Sequence, residues 1–100
     1  MNASGPARGE LGRERRYLAE WYRPEITGAT LDDVVGRLKR GAAEADHVRV
    51  VMALSVPSDE VVYCLYAADS ADAVVAACTH AGIPAERITA DVDARIDGPG

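Results

Sequence analysis

Between Val61 and Pro84 the chain passes from an apolar strand, through a polar helix start and a short amphipathic helix, to a glycine stop. Val61 to Ala67 is apolar on both faces, and a strand of that kind is normally buried on both. Side-chain alternation puts Tyr63 with Leu65 and Ala67 on one side and Val62 with Cys64 and Tyr66 on the other. Ser70 is a good helix N-cap, and Asp72 falls in the first turn, where negative charge is favoured. Val74, Ala77, Cys78 and Ala81 follow at helical spacing. Gly82 suits the left-handed residue past a helix end, and Pro84 reinforces the stop.

The rest of the chain reads against this frame. Arg16 to Tyr22 is a strand ended by Pro24, with Leu18, Glu20 and Tyr22 on one face and Tyr17, Ala19 and Trp21 on the other. Thr30 is the predicted N-cap of a first helix, with Asp33 at the capping-box position; Leu31, Val34, Val35, Leu38, Ala42 and Ala45 make its apolar stripe. Val48 to Val56 is a second strand, with Val48, Val50, Met52, Leu54 and Val56 expected on one face. The polar turn Pro57 to Glu60 makes an antiparallel hairpin with the next strand, and Arg87 to Ile96 gives a last strand. The order is β-α-β-β-α-β. Two right-handed half-units of this kind give an α+β fold, a four-stranded antiparallel sheet with both helices on one face. The other face is left uncovered, and a second copy of the same sheet is the simplest cover, which predicts a homodimer.

Residues 1–14 mix Gly, Pro, Ser and charge without periodicity and read as a disordered tail; 15–96 form the domain and 97–100 a short tail. The chain carries 11 basic and 16 acidic residues, and residues 1–16 hold four arginines against two glutamates, so the body is the more acidic part. That balance argues against nucleic acid, whose affinity comes mainly from cation–phosphate contacts. The start of the chain has no apolar segment of the signal-peptide kind, and no apolar run approaches a membrane span, so a cytoplasmic protein is expected. Two cysteines, Cys64 and Cys78, match neither a disulfide framework nor a zinc pattern.

Leu18-Ala-Glu-Trp-Tyr-Arg-Pro24, Val61-Val-Tyr-Cys-Leu-Tyr66, Ser70-Ala-Asp-Ala-Val74 and His80-Ala-Gly-Ile-Pro84 resemble a family of small bacterial proteins. The family was long described as a domain of unknown function, and some of its members are described as nickel-binding. The resemblance spans roughly residues 16 to 95. It implies a ferredoxin-like fold, dimerised through the open sheet faces into an α+β barrel. It also implies nickel or another divalent transition metal, or a small ligand, in or beside that barrel, and no established catalytic activity. The Glu of the first-strand motif is Glu20; where the family often has a Glu after the Tyr-Cys-Leu-Tyr strand, this chain has Ala67.

Glu20 is the foremost candidate. A carboxylate in mid-strand must be paired, hydrogen-bonded or protonated if buried, so it reads either as a pocket ligand or as a salt-bridged side chain. His47 and His80 are the two histidines and the candidate metal ligands beside Glu20, because nickel and zinc favour imidazole with carboxylate as co-ligand. Each also reads simply as a surface or capping histidine. Tyr63 and Met52 are expected to wall a pocket around Glu20, with Leu65. Cys64 reads as an inert buried thiol, and Asp91 with Asp93 as a solvated strand face. The sequence carries no phosphate loop, nucleotide fingerprint or Ser-His-Asp pattern. The expected function is non-enzymatic binding; a small-molecule carrier or enzyme using Glu20 inside the barrel, and a purely structural dimerisation module, are the alternatives.

Overall fold

A computed structural model describes residues 14–95, so both expected tails, save Glu14, lie outside the described residues. The elements are β1 (Arg15–Tyr22), α1 (Gly28–Glu44), β2 (Val48–Val56), a 3-10 turn (Pro57–Asp59), β3 (Val61–Ala68), α2 (Ala71–His80) and β4 (Arg87–Ala90). The sheet order is β2-β3-β1-β4 and every pair is antiparallel, which is the ferredoxin-like α+β arrangement read from the sequence.

Both helices pack on one face. Tyr17, Ala19 and Trp21 of β1 and Val62, Cys64 and Tyr66 of β3 are buried there against Leu38 and Ala42 of α1 and Val74, Ala77 and Cys78 of α2. Trp21 is 2% exposed, and its Nε1–H donates to the Ile83 carbonyl at 2.8 Å. A buried indole needs such a partner, and this one ties β1 to the segment that follows α2. Ser70 caps α2 by accepting from the Ala73 amide, and Gly82 past the helix end sits at φ 80°, both as the sequence predicts.

Gly41 has a role that helix propensity hides. A Cβ built there would lie 2.4 Å from the Ala77 carbonyl oxygen and 2.8 Å from the Ala81 nitrogen. The two helix backbones therefore touch at Gly41, which allows a thin layer to cover the sheet without large side chains.

Three sequence expectations are corrected. The first helix begins one turn early, with Thr27 as N-cap. Thr27 Oγ1 accepts from the Thr30 amide at 3.2 Å and Thr30 Oγ1 accepts from the Thr27 amide at 2.7 Å, so Thr30 closes a capping box instead of opening the helix. In β2 the pairing passes from Val50↔Tyr66 directly to Met52↔Leu65, leaving Val51 as a bulge. The extra residue reverses the alternation: Val48, Val50 and Ala53 pack toward the helices, whereas Met52 and Leu54 turn to the opposite face. Finally, β4 stops at Ala90, because Asp91 adopts a left-handed φ of 57° and turns the chain. Asp91 and Asp93 thus do not share a strand face; Asp91 lies 4.0 Å from Arg15, and Asp93 pairs with Arg95.

Substituting Gly41→Ala should destabilise the protein by about 1–3 kcal/mol, the usual cost of overpacking, read from urea unfolding. Helix propensity alone favours alanine by about 1 kcal/mol, so a stabilised variant would show that the helices part freely.

Candidate functional site

The face away from the helices carries the candidate site. Its composition follows from strand register, because directly paired residues in neighbouring strands point to the same side. One row across the sheet is Met52, Leu65, Leu18 and Thr89, and the next is Leu54, Tyr63, Glu20 and Arg87. Arg49, Ala67 and Arg16 form the row at one end, and Val56, Val61 and Tyr22 the row at the other. None of these side chains belongs to the helix-facing core. Leu65 is buried within the row by its neighbours, yet Met52 and Leu54 remain 37% and 38% exposed. The bulge at Val51 thus moves two apolar side chains beside Leu65 and Tyr63, making one apolar band across the middle of an uncovered sheet.

Glu20 stands at the border of that band. It pairs across the strands with Tyr63 on one side and Arg87 on the other, and Arg87 Nε lies 3.7 Å from its Oε2. The Glu20 side chain is 24% exposed and that of Arg87 72%, so the carboxylate is held at the sheet surface and not sunk in the core. Beside it is an open hollow of about 180 Å³, lined by Glu20, Trp21, Tyr22, Val61, Glu86 and Arg87. Glu86 accepts from the Tyr22 amide at 3.0 Å. The Tyr22 hydroxyl donates to Glu60 at 2.8 Å, and that carboxylate pushes the phenol's pKa up. The left-handed Glu60 is also held by its carbonyl, which accepts from the Arg23 amide at 2.7 Å. This corner therefore gathers Glu20, Glu60 and Glu86 around one tyrosine and one arginine. Sequence reasoning found Glu20 by its mid-strand position; Glu86 and Arg87 could be found only from the β1–β4 register.

The other candidate residues are dispersed. Tyr63 lies directly opposite Glu20, while Met52 lies one row away opposite Leu65, and neither lines the hollow. His80, at the end of α2, faces Glu44 of α1 with Nδ1 at 3.7 Å from its carboxylate. His47, in the turn between α1 and β2, has a left-handed φ of 61° and lies 3.8 Å from Asp69. Glu20, His47 and His80 thus have separate partners. Among the described residues no three His, Cys, Asp or Glu side chains are grouped so as to hold a metal ion.

The two thiols lie on the helix side of the sheet, away from this face. Both are buried, and the Cys78 thiol donates to the Tyr66 hydroxyl at 3.7 Å. Burial pushes the Cys64 thiol up to about 12 from 9.0 and raises Cys78 and Tyr66 as well. Thiols held protonated in an apolar layer are poor nucleophiles, in keeping with a packing role for Cys64.

Residues 17–90 match the sequence profile of the family described as "Nickel responsive protein SCO4226-like". The fold superposes on the crystal structure of SCO4226 from Streptomyces coelicolor A3(2) with a TM-score of 0.71, at 22% identity, over 81% of this chain and 99% of that one. No curated protein matches the chain. Among the described residues no helix is long and apolar enough to cross a membrane.

The thiol environment sets a pH dependence. Cys64 is protonated in the folded protein above the pH at which an unfolded thiol ionises, so the unfolded state binds fewer protons and stability falls as pH rises from about 9 toward 12. Unfolding midpoints measured across that range should decline, and Cys64→Ala should flatten the decline. A native protein whose thiols react with a disulfide reagent as fast as the unfolded chain would contradict this burial.

Proposed function

The chain belongs to the SCO4226-like nickel responsive family, and we propose that it is a small, non-enzymatic binding protein whose ligand sits on the open sheet face, closed over by a second copy of the chain. The observation that carries this reading is the placement of Glu20: a carboxylate at the edge of an apolar band, beside a hollow, on a face that neither helix covers. An acidic group in such a place favours a cationic ligand, and covering the band removes water that would otherwise screen the attraction.

Nickel is suggested by the description of the family and by the carboxylates of this corner. The described residues of one chain do not fit a complete nickel centre. The donors beside the hollow are oxygen atoms of Glu20 and Glu86, whereas the imidazole of His47 faces Asp69 in the β3–α2 connection and that of His80 faces Glu44 of α1. Nickel takes imidazole readily and carboxylate less selectively. In this reading Glu20 is the anchoring group, Glu86 the second oxygen donor and Arg87 the intramolecular cation that a ligand displaces from Glu20.

Calorimetry on tag-free protein tests the proposal. Nickel, with zinc as comparison, should bind saturably, and Glu20→Gln should weaken binding about tenfold, the equivalent of about 1.4 kcal/mol. Arg87→Gln should strengthen it, because the competing guanidinium is gone. Saturable binding that ignores both substitutions would move the site elsewhere, and no saturable cation binding would remove the proposed ligand class.

A further inference from the structure

The hollow beside Glu20 has walls of two kinds. Glu20, Glu86 and Arg87 supply charge, and Tyr22 and Val61 supply an aromatic and an apolar surface. Trp21 also borders it, but its indole belongs to the helix layer. Tyr22 is 52% exposed, yet it is held at both ends. Its hydroxyl donates to Glu60 at 2.8 Å and its amide donates to Glu86 Oε2 at 3.0 Å. A ligand that stacks on a ring fixed in this way does not have to order it first. The two carboxylates are only half committed. The Tyr22 amide uses Oε2 of Glu86, and the Arg87 guanidinium lies against Oε2 of Glu20. Among the described residues Oε1 of each has no hydrogen-bond or ion-pair partner.

The chain itself shows which cation suits these walls. Arg87 Nε stands 3.7 Å from Glu20, beyond hydrogen-bond length, and its side chain is 72% exposed. So loose and exposed a pair contributes little, and a better-seated guanidinium can displace it. A guanidinium is planar, carries its donors in a fork that matches carboxylates and stacks on aromatic faces; an ammonium is a strongly hydrated point charge. A transition metal needs several converging donors, which the described residues do not supply. The volume of about 180 Å³ is below the roughly 300–1,000 Å³ of drug-sized sites, which leaves room for a head group and a short stem. We propose that the hollow binds an alkylguanidinium group, with its fork on Glu20 and Glu86, its plane on the Tyr22 ring and its alkyl stem toward Val61. The inference rests on the reading that the Glu20 corner takes a cation, and it names the chemical class of that cation. Arg87 is then a built-in competitor of the same chemistry, which holds Glu20 loosely until the ligand arrives.

The test is an NMR titration of the full chain with N-ethylguanidinium chloride, read at the amides of Tyr22 and Arg87. Their shifts should saturate, with binding about threefold tighter than for ethylammonium chloride. Sodium chloride at the same concentrations should not reproduce them. Glu20→Gln should weaken binding about tenfold and Tyr22→Leu about threefold, whereas Arg87→Gln should tighten it about threefold. Thermal melts by circular dichroism identify any variant that fails to fold, and Tyr22→Phe, which keeps the ring, should retain most of the binding. Acetyl-argininamide separates the two sources of this chemistry. Binding as tight as that of ethylguanidinium points to an arginine of a peptide and its exclusion to a free small guanidine, and either supports the class. Equal or tighter ethylammonium binding, shifts reproduced by sodium chloride, or indifference to Tyr22→Leu would overturn the inference. Nickel that saturates and depends on Glu20 while ethylguanidinium does not bind would overturn it too, and leave the cation reading standing. Failure of every cation to bind would instead remove that reading itself.

Discussion

β3 sends apolar side chains to both faces of the sheet, and two short helices can cover only one of them. Val62, Cys64 and Tyr66 are sealed beneath α1 and α2, while Tyr63, Leu65 and Ala67 look the other way. On the helix side a thin layer of Leu, Val, Ala and Cys from the helices packs on Tyr17, Trp21 and Tyr66 of the sheet, closed by the backbone contact at Gly41 and by the Trp21 hydrogen bond to Ile83. The layer is complete, with no buried side-chain polar atom left unpaired among the described residues. The opposite side is not, and the hydrophobic effect acts on it in the same way, at roughly 25 cal/mol for each Å² removed from water. The folded chain therefore presents an apolar band that favours association, with a carboxylate set at its margin.

The bulge at Val51 decides how apolar area is shared between the two faces of the sheet. Without it, Met52 and Leu54 would follow Val50 toward the helices and crowd a layer with little room. With it, they widen the apolar band beside Leu65 and Tyr63. One inserted residue thus moves apolar area from the core side to the open side. The same geometry leaves β2 with an irregular outer edge, which disfavours edge-to-edge strand addition.

The parts of this structure that were legible in the sequence had a single local explanation. Ser70 and Gly82 frame α2 because one side chain can cap and one residue tolerates positive φ, and nothing nearby competes. β3 was legible because the unbroken apolar run from Val61 to Ala68 admits few alternatives. Where two neighbours offered the same chemistry, the pattern was ambiguous. Thr27 and Thr30 can each cap α1, and the structure uses both, in reciprocal hydrogen bonds. Val50 and Val51 are interchangeable in a hydrophobic pattern, so the bulge left no sign. The alternation Ile88, Ala90, Val92, Ala94 continues past the end of β4 because the turn at Asp91 is made by backbone angle and not by a glycine. Glu20 stood out as a charge inside an apolar strand, but its companions come from two other places in the chain, Glu60 from the β2–β3 turn and Glu86 with Arg87 from the start of β4. Only the strand register and the turn hydrogen bonds bring them to it.

The central claim is that the open face is covered in solution by a second copy. Met52 gives a direct reporter, since it is exposed at the middle of the face and the remaining methionine is Met1. Oxidation of Met52 by dilute peroxide, followed by peptide mass spectrometry over a wide range of protein concentration, reads its exposure. The account predicts that oxidation of Met52 slows markedly as concentration rises and the face is covered, while free methionine added to the same solution serves as the control. A Met52 oxidation rate that stays constant across the same range would contradict it.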